Sequence, residues 1–277
     1  MGDVRLEDWL GRSRELVDQV HPTPVRACAV TLDDAAAANT QPGDPLPELW
    51  HWLYFLPMVP MAEIGADGHP KRGGFLPPIA LDRRMWAGGR LIFHEPLRIG
   101  DDVRQRSEIV KIVEKEGKAG RMVFVTVRHE VSSARGLAVE EEQDIVYVAM
   151  PKSFTPPAPV PAPADPGWSE PVAVDPVLLF RFSAVTFNGH RIHYDRTYAR
   201  QEEFYPGLVV HGPLQATLLV RLAARTLGRM PAEVSYRGVS PLFDGDRLVL
   251  EARRSDEGLS LRAANGAGAT TMEASAR

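Results

Sequence analysis

Tyr205 to Leu227 reads YPGLVVHGPLQATLLVRLAARTL. From Gly212 onward leucine and alanine recur at helical spacing. Pro213 falls in the first turn, where a missing N–H costs nothing, and Gly228 follows as a stop. This predicts a helix over Gly212–Leu227. Downstream, EVSYRGV (from Glu233), RLVLEARRS (from Arg247), GLSLRAANG (from Gly258) and ATTMEASA (from Ala269) read as strands. Their alternation is only partial, which suits strands packed on a helix. One long apolar helix wrapped by consecutive strands is α+β, not the alternating rhythm of a parallel sheet.

The same plan echoes in the first half. Pro241–Asp246, PLFDGD, is matched by Pro96–Asp101, PLRIGD, and each copy lies between strand-like runs. In the first half these are LIFHE before the motif, then VRQRSEIVKIVEK, RMVFVTVRHEVS and EEQDIVYVAM after it. Leu46–Phe55, which contains PELWHWLYF, supplies the helix candidate there. Two copies of one unit are therefore expected. Between them runs PKSFTPPAPVPAPADP, Pro151 to Pro166, whose seven prolines favour a stiff, extended spacer. The predicted organisation is a first unit over 1–150, a proline-rich linker over 151–175 and a second unit over 176–277.

Composition narrows the function classes. At 277 residues, 44% hydrophobic and 25% charged, the chain can bury real cores. A formal net charge of −4 offers no basic field for nucleic acid or an anionic membrane. Cys28 is the only cysteine, so no internal disulfide or thiolate cluster is expected, which fits a reducing cytoplasm. The start, MGDVRLEDWLGRSREL, has no apolar core of a secretory signal, and no run is long and apolar enough to span a membrane. Phosphate-loop, dinucleotide-loop and nucleophile-elbow motifs are missing.

Chemistry concentrates in Phe182–Asp195, FSAVTFNGHRIHYD, which delivers His190, His193 and Asp195, and in His211-Gly212 at the predicted helix start. An imidazole near a helix N-terminus joins a proton carrier to an anion-stabilising amide. His190-x-x-His193-x-Asp195 also has metal-ligand character, but no further ligand cluster supports it, and no metal is expected.

These segments resemble the MaoC-like (R)-specific enoyl-thioester hydratases. The run TFNGHRIHYD, Thr186–Asp195, is closest to the hydroxyacyl-thioester dehydratase type 2 branch. In the first half GADGHPKRGGFLPP (Gly65–Pro78) and RRMWAGG (Arg83–Gly89) look like the degenerate domain of mesaconyl-C4-CoA and itaconyl-CoA hydratases. The resemblance implies a tandem hot-dog fold, each unit an antiparallel sheet around a long central helix, with catalysis in the second unit. It implies reversible hydration of an α,β-unsaturated acyl-CoA, with coenzyme A entering as part of the substrate and no separate cofactor.

It also implies residue roles. His193 is the acid–base residue and the Gly212 N–H holds the thioester oxygen. Asn188 stands where the wider group has an aspartate; an amide can place a water but cannot take its proton. Asp195 is the nearest carboxylate in sequence. Arg191, His190, His211, Arg83, Arg84 and Trp86 are the substrate-facing candidates, a guanidinium among them suiting a second substrate carboxylate. Plainer readings stand beside these: His190 fixing a turn, His211 packing at the helix start, Arg191 or the Arg83–Trp86 patch as solvated surface. Asp67 and His69 could line the cleft between units, or simply lie on a turn. A hot-dog thioesterase and a non-catalytic acyl-CoA-binding module are the alternatives, and the sequence leaves open whether chains pair as a homodimer.

Overall fold

A computed structural model describes residues 5–117, 120–161 and 167–277. The first four residues of the chain start and the last five of the proline-rich stretch lie outside them. Ten strands form one antiparallel sheet: β1 (Ser13–Gln19), β2 (Arg83–Phe93), β3 (Asp102–Gly117), β4 (Gly120–Ser133), β5 (Gly136–Val148), β6 (Trp168–Ala173), β7 (Glu233–Gly238), β8 (Arg247–Ser255), β9 (Gly258–Ala264) and β10 (Thr270–Ala276). Their order is β1-β3-β4-β5-β2-β7-β10-β9-β8-β6. From the β1 edge, the first five strands follow one connectivity. From the β6 edge, the last five follow the same one. The halves meet where β2 pairs with β7, from Gly88↔Arg237 to Ile92↔Glu233.

The repeated PLxxGD motif occupies the same place in each half, after β2 and after β7. Its glycines, Gly100 (φ 100°) and Gly245 (φ 83°), take the left-handed backbone that a side chain resists. Asp101 then accepts from the Arg98 N–H at 2.7 Å, closing the turn into β3.

Helix α5 covers Gly212–Leu227 as read, ending at Gly228 with φ 69°. Leu214, Leu218, Leu219 and Leu222 on it are fully buried in one core with Leu248, Leu250 and Leu261 of the sheet. Each such leucine contributes roughly 1.5–3 kcal/mol on leaving water.

The first half differs. Leu46–Phe55 does not form the expected helix; it makes only one 3₁₀ turn, Trp50–Leu53, flanked by Leu49 (φ 67°) and Phe55 (φ 54°). Side-chain anchors override the apolar spacing: His51 and Trp52 reach Glu141 at 2.9 and 3.0 Å, and the Phe55 N–H donates to Asp18 at 2.9 Å. The helices of the first half are instead α1 (Pro22–Thr31) and the short α2 (Ala35–Ala38). Helix α1 corresponds to α3 (Pro176–Val185), since each follows the first strand of its half and opens on proline. Helix α4 (Arg196–Gln201) completes the set. Strand β6, Trp168–Ala173, lies within residues 151–175 read as a linker.

Candidate active site

His193 ends a 3₁₀ turn, Arg191–His193, and is buried. Its Nδ1 donates to the Val209 carbonyl at 2.7 Å, which leaves Nε2 as a free lone pair. The ring stacks on His211 (3.6 Å between centroids, 19°) and meets the edge of His190 at 5.5 Å. Burial, followed by the His211 and His190 charges, lowers its pKa well below 6.5, so the imidazole is neutral at pH 7. Burial likewise pushes His211 down to about 3. Its Nε2 shares a hydrogen bond with the Ser183 hydroxyl at 2.8 Å, while its Nδ1 has no partner among the described residues.

Gly212, next to His211, is the first residue of α5. Its N–H has no intrahelical acceptor and lies at the positive end of the helix dipole. A Cβ on Gly212 would stand 2.7 Å from the Trp86 ring, so this tryptophan of β2 rests directly on the helix start. Trp86 stacks on Tyr236 at 4.5 Å and meets the edge of Trp52 at 5.8 Å. Both halves therefore build the aromatic wall beside the imidazoles.

Asn188 spends its side-chain oxygen on the His190 N–H at 3.0 Å, an Asx turn, leaving its amide NH₂ uncommitted. Asp195 caps α4 through the Tyr198 N–H and pairs with Arg191 at 2.8 Å, so it is occupied structurally. Arg191 also donates to the Ala66 carbonyl at 3.0 Å and lies over the Tyr198 ring. Its guanidinium ties the two halves together and does not face the imidazoles' cleft unengaged.

The carboxylates nearest the histidines come from elsewhere. Glu203 accepts from His190 Nε2 at 3.0 Å and pairs with Arg83 at 3.2 Å. Asp67 accepts from His69 Nδ1 at 3.0 Å, and the His69 ring lies 4.1 Å from His190. Burial, with the His190 and Arg84 charges, holds His69 near 4 against the pull of Asp67. The loop carrying this pair docks backbone to backbone. A Cβ on Gly68 would collide with the Gly189 carbonyl oxygen, and the Arg191 N–H donates to the Asp67 carbonyl at 2.9 Å. Donor atoms of Asp67, His69 and His190 lie within 4.8 Å of one another, the group best placed for a cation among the described residues.

The structure thus gathers His190, His193, His211, Gly212 and Trp86, and separates Arg83 from Arg84. Sequence reasoning left Asp67 and His69 undecided and missed Glu203 and Ser183. The Asp-Gly-His turn was the signal for the first pair; Glu203 carries none. A surface groove on the outer face around β2 and β7 is lined by ion-paired Arg90, Arg128 and Glu142, and no histidine is among its lining residues.

A buried histidine pair at the N-terminus of a hot-dog helix, walled by a second hot-dog half, defines the class. The chain belongs to the hydroxyacyl-thioester dehydratase type 2 family, whose model matches residues 49–244. It is 46% identical over 273 residues to a mesaconyl-C(4)-CoA hydratase of Chloroflexus aurantiacus, covering 96% of this chain and 95% of that one. A mitochondrial hydroxyacyl-thioester dehydratase type 2 of Schizosaccharomyces pombe is 28% identical, over 87% of this chain and 86% of its own. Among solved structures, a MaoC-like dehydratase from Phytophthora capsici superposes with a TM-score of 0.71 at 14% identity, covering 99% of each chain. A Mycobacterium tuberculosis protein with a double hotdog fold gives 0.57 at 16% identity, over 96% of this chain and 95% of that one. The fold is the double hotdog. Among the described residues no helix is long and apolar enough to cross a membrane.

Proposed function

We propose that this protein reversibly hydrates the double bond of an α,β-unsaturated acyl-CoA, and that its substrate is mesaconyl-C4-CoA or the related itaconyl-CoA. The single observation that carries the reading is the stacking of His193, whose Nδ1 is bonded to the Val209 carbonyl, on His211, the residue directly before Gly212 at the start of α5, in a chain 46% identical to a mesaconyl-C(4)-CoA hydratase.

The chemistry needs little else. His193 Nε2 takes a proton from water while the water oxygen bonds to C3. The alkene electrons move through C2 onto the thioester oxygen, where the Gly212 N–H holds the developing charge. The protonated His193 then returns its proton to C2, so one water is added and the enzyme is restored. Losing such an oxyanion donor costs on the order of 3 kcal/mol in other enzymes. The Asn188 amide NH₂ places the water, Trp86 walls the acyl group, and no cofactor beyond the substrate's own coenzyme A takes part. In this reading the second unit carries the chemistry, the first closes the cleft, and the setting is cytoplasmic.

Purified protein given mesaconyl-C4-CoA will lose enoyl absorbance and gain the mass of one water without releasing free thiol. Thiol release would identify a thioesterase instead. Unaltered turnover in His193→Ala would overturn the catalytic assignment.

A further inference from the structure

Arg83 and Arg84 are neighbours in sequence but opposite in the pleat of β2. Arg83 is spent on Glu203 and covers the Tyr205 ring. Arg84, on the other face, has no carboxylate partner among the described residues. In register it stands beside Tyr147 of β5, on the same face of the sheet. Tyr147 is fully buried; its hydroxyl lies within hydrogen-bonding reach of the Arg84 guanidinium, and among the described residues nothing accepts its proton. Native proteins seldom leave a buried hydroxyl unsatisfied, because its lost water is not replaced. A guanidinium without an anion beside a hydroxyl without an acceptor is a site lacking one component, and that component is a carboxylate.

Its position fits the reaction. Two residues along the same face Trp86 rests on Gly212, so Arg84 lies about 6.6 Å up the strand from the wall of the thioester site. That is the scale of a four-carbon trans diacid, one end activated and the other free. Arg84 also borders the imidazole cluster, since its charge, after burial and His190, helps keep His69 neutral. Arg72, whose side chain also approaches the Tyr147 ring, is committed to the Ile79 and Asp82 carbonyls and leaves the position to Arg84.

We propose that Arg84 and Tyr147 form a receptor for a free carboxylate at the far end of the acyl group. The Arg84 fork meets both carboxylate oxygens and the Tyr147 hydroxyl donates a third hydrogen bond. The receptor makes the enzyme selective for a dicarboxylyl thioester over one ending in methyl. This rests on the hydratase reading above.

The test compares mesaconyl-C4-CoA with 3-methylcrotonyl-CoA, in which a methyl replaces that carboxylate. In wild type the diacid leads in kcat/KM. In Arg84→Gln the lead collapses by about 10- to 100-fold, the range of a charge-assisted hydrogen bond, with most of the loss in KM. Arg84→Lys retains part of it. Tyr147→Phe loses roughly 5- to 10-fold for the diacid alone and melts close to wild type, because the hydroxyl it removes has no acceptor for its proton at rest. Equal loss on both substrates, or an unaltered preference in Arg84→Gln, overturns the receptor. Equilibrium binding of the two thioesters, read by tryptophan fluorescence, separates it from the hydratase reading. Binding that favours the diacid and depends on Arg84, without turnover, sinks only the hydration; equal affinities sink the receptor whatever the turnover.

Discussion

Acidification from pH 7.5 to pH 5.5 will weaken the fold through its buried imidazoles, before most carboxylates take up protons. Burial holds His69 and His129 near 4 and His211 near 3, whereas an unfolded histidine titrates at about 6.5. The folded values are depressed, so below 6.5 the unfolded chain binds protons that the folded chain refuses. Stability therefore falls as pH falls, until the folded values are reached. At pH 5.5 each of the three costs about 1.4 kcal/mol, together about 4 kcal/mol, and His193 adds in the same direction. Glu48 opposes them: burial pushes it up to about 7, so acid relieves its buried charge by roughly 2 kcal/mol. Asp67 and Asp101, held below their ordinary values by His69 and by Arg135 respectively, stay ionised throughout. The net loss is about 2 kcal/mol before the His193 contribution is added, a large share of a typical domain's stability. Urea unfolding at the two pH values measures it directly. His129→Gln, which alters a histidine bonded to Ser107 and remote from the proposed chemistry, should shrink the difference by about 1.4 kcal/mol. Equal wild-type stability at both pH values, or an unchanged difference in His129→Gln, would refute the reasoning.

The same depression sets the activity profile: neutral His193 is the competent base, so kcat/KM stays level as pH falls through 6.5 and drops only far below it. A limb at 6.5 or above would show a different group in control. Gly212→Ala puts a methyl 2.7 Å from the Trp86 ring and forces the aromatic wall back, costing about 1–3 kcal/mol in urea unfolding and at least tenfold in kcat/KM; a variant with normal values of both would contradict the packing described. Gly68→Ala, at φ 88° and facing the Gly189 carbonyl, will lift the Asp67–His69 loop off the imidazoles. Faster amide exchange over residues 65–70 with a tenfold loss of kcat/KM is expected, and unchanged exchange would show that the loop has another way to sit.

Much of this architecture was legible in local patterns. Helix α5 was readable because Pro213, the buried leucines and Gly228 all agree on it. The duplication was readable because PLxxGD sits at a turn whose glycine and aspartate are both required. Leu46–Phe55 misled because its spacing suits a helix while its polar atoms are claimed by Glu141 and Asp18, partners far away in sequence. The site divides the same way. His193 and Gly212 announce themselves through a compact motif, whereas Glu203 and Tyr147 matter only through the strands and turns that bring them to the histidines and to Arg84. Adjacent arginines could not be told apart until the pleat sent one to each face.

Glu141 explains why the two halves, equal in strand order, differ in what fills them. In the second half the inner face presents Leu248, Leu250 and Leu261 to α5. In the first half the inner face carries buried Ser107, His129 and Glu141, groups that an apolar helix could not satisfy. They are satisfied instead by one another and by the irregular segment above them: Ser107 with His129 at 2.8 Å, and His51, Trp52 and Gln143 on Glu141 at 2.8–3.0 Å. These donors hold Glu141 ionised against complete burial. The polar-anchored loop sets Trp52 edge-on against Trp86 of β2, and Trp86 in turn rests on Gly212, so the first half contributes a wall to the second half's site.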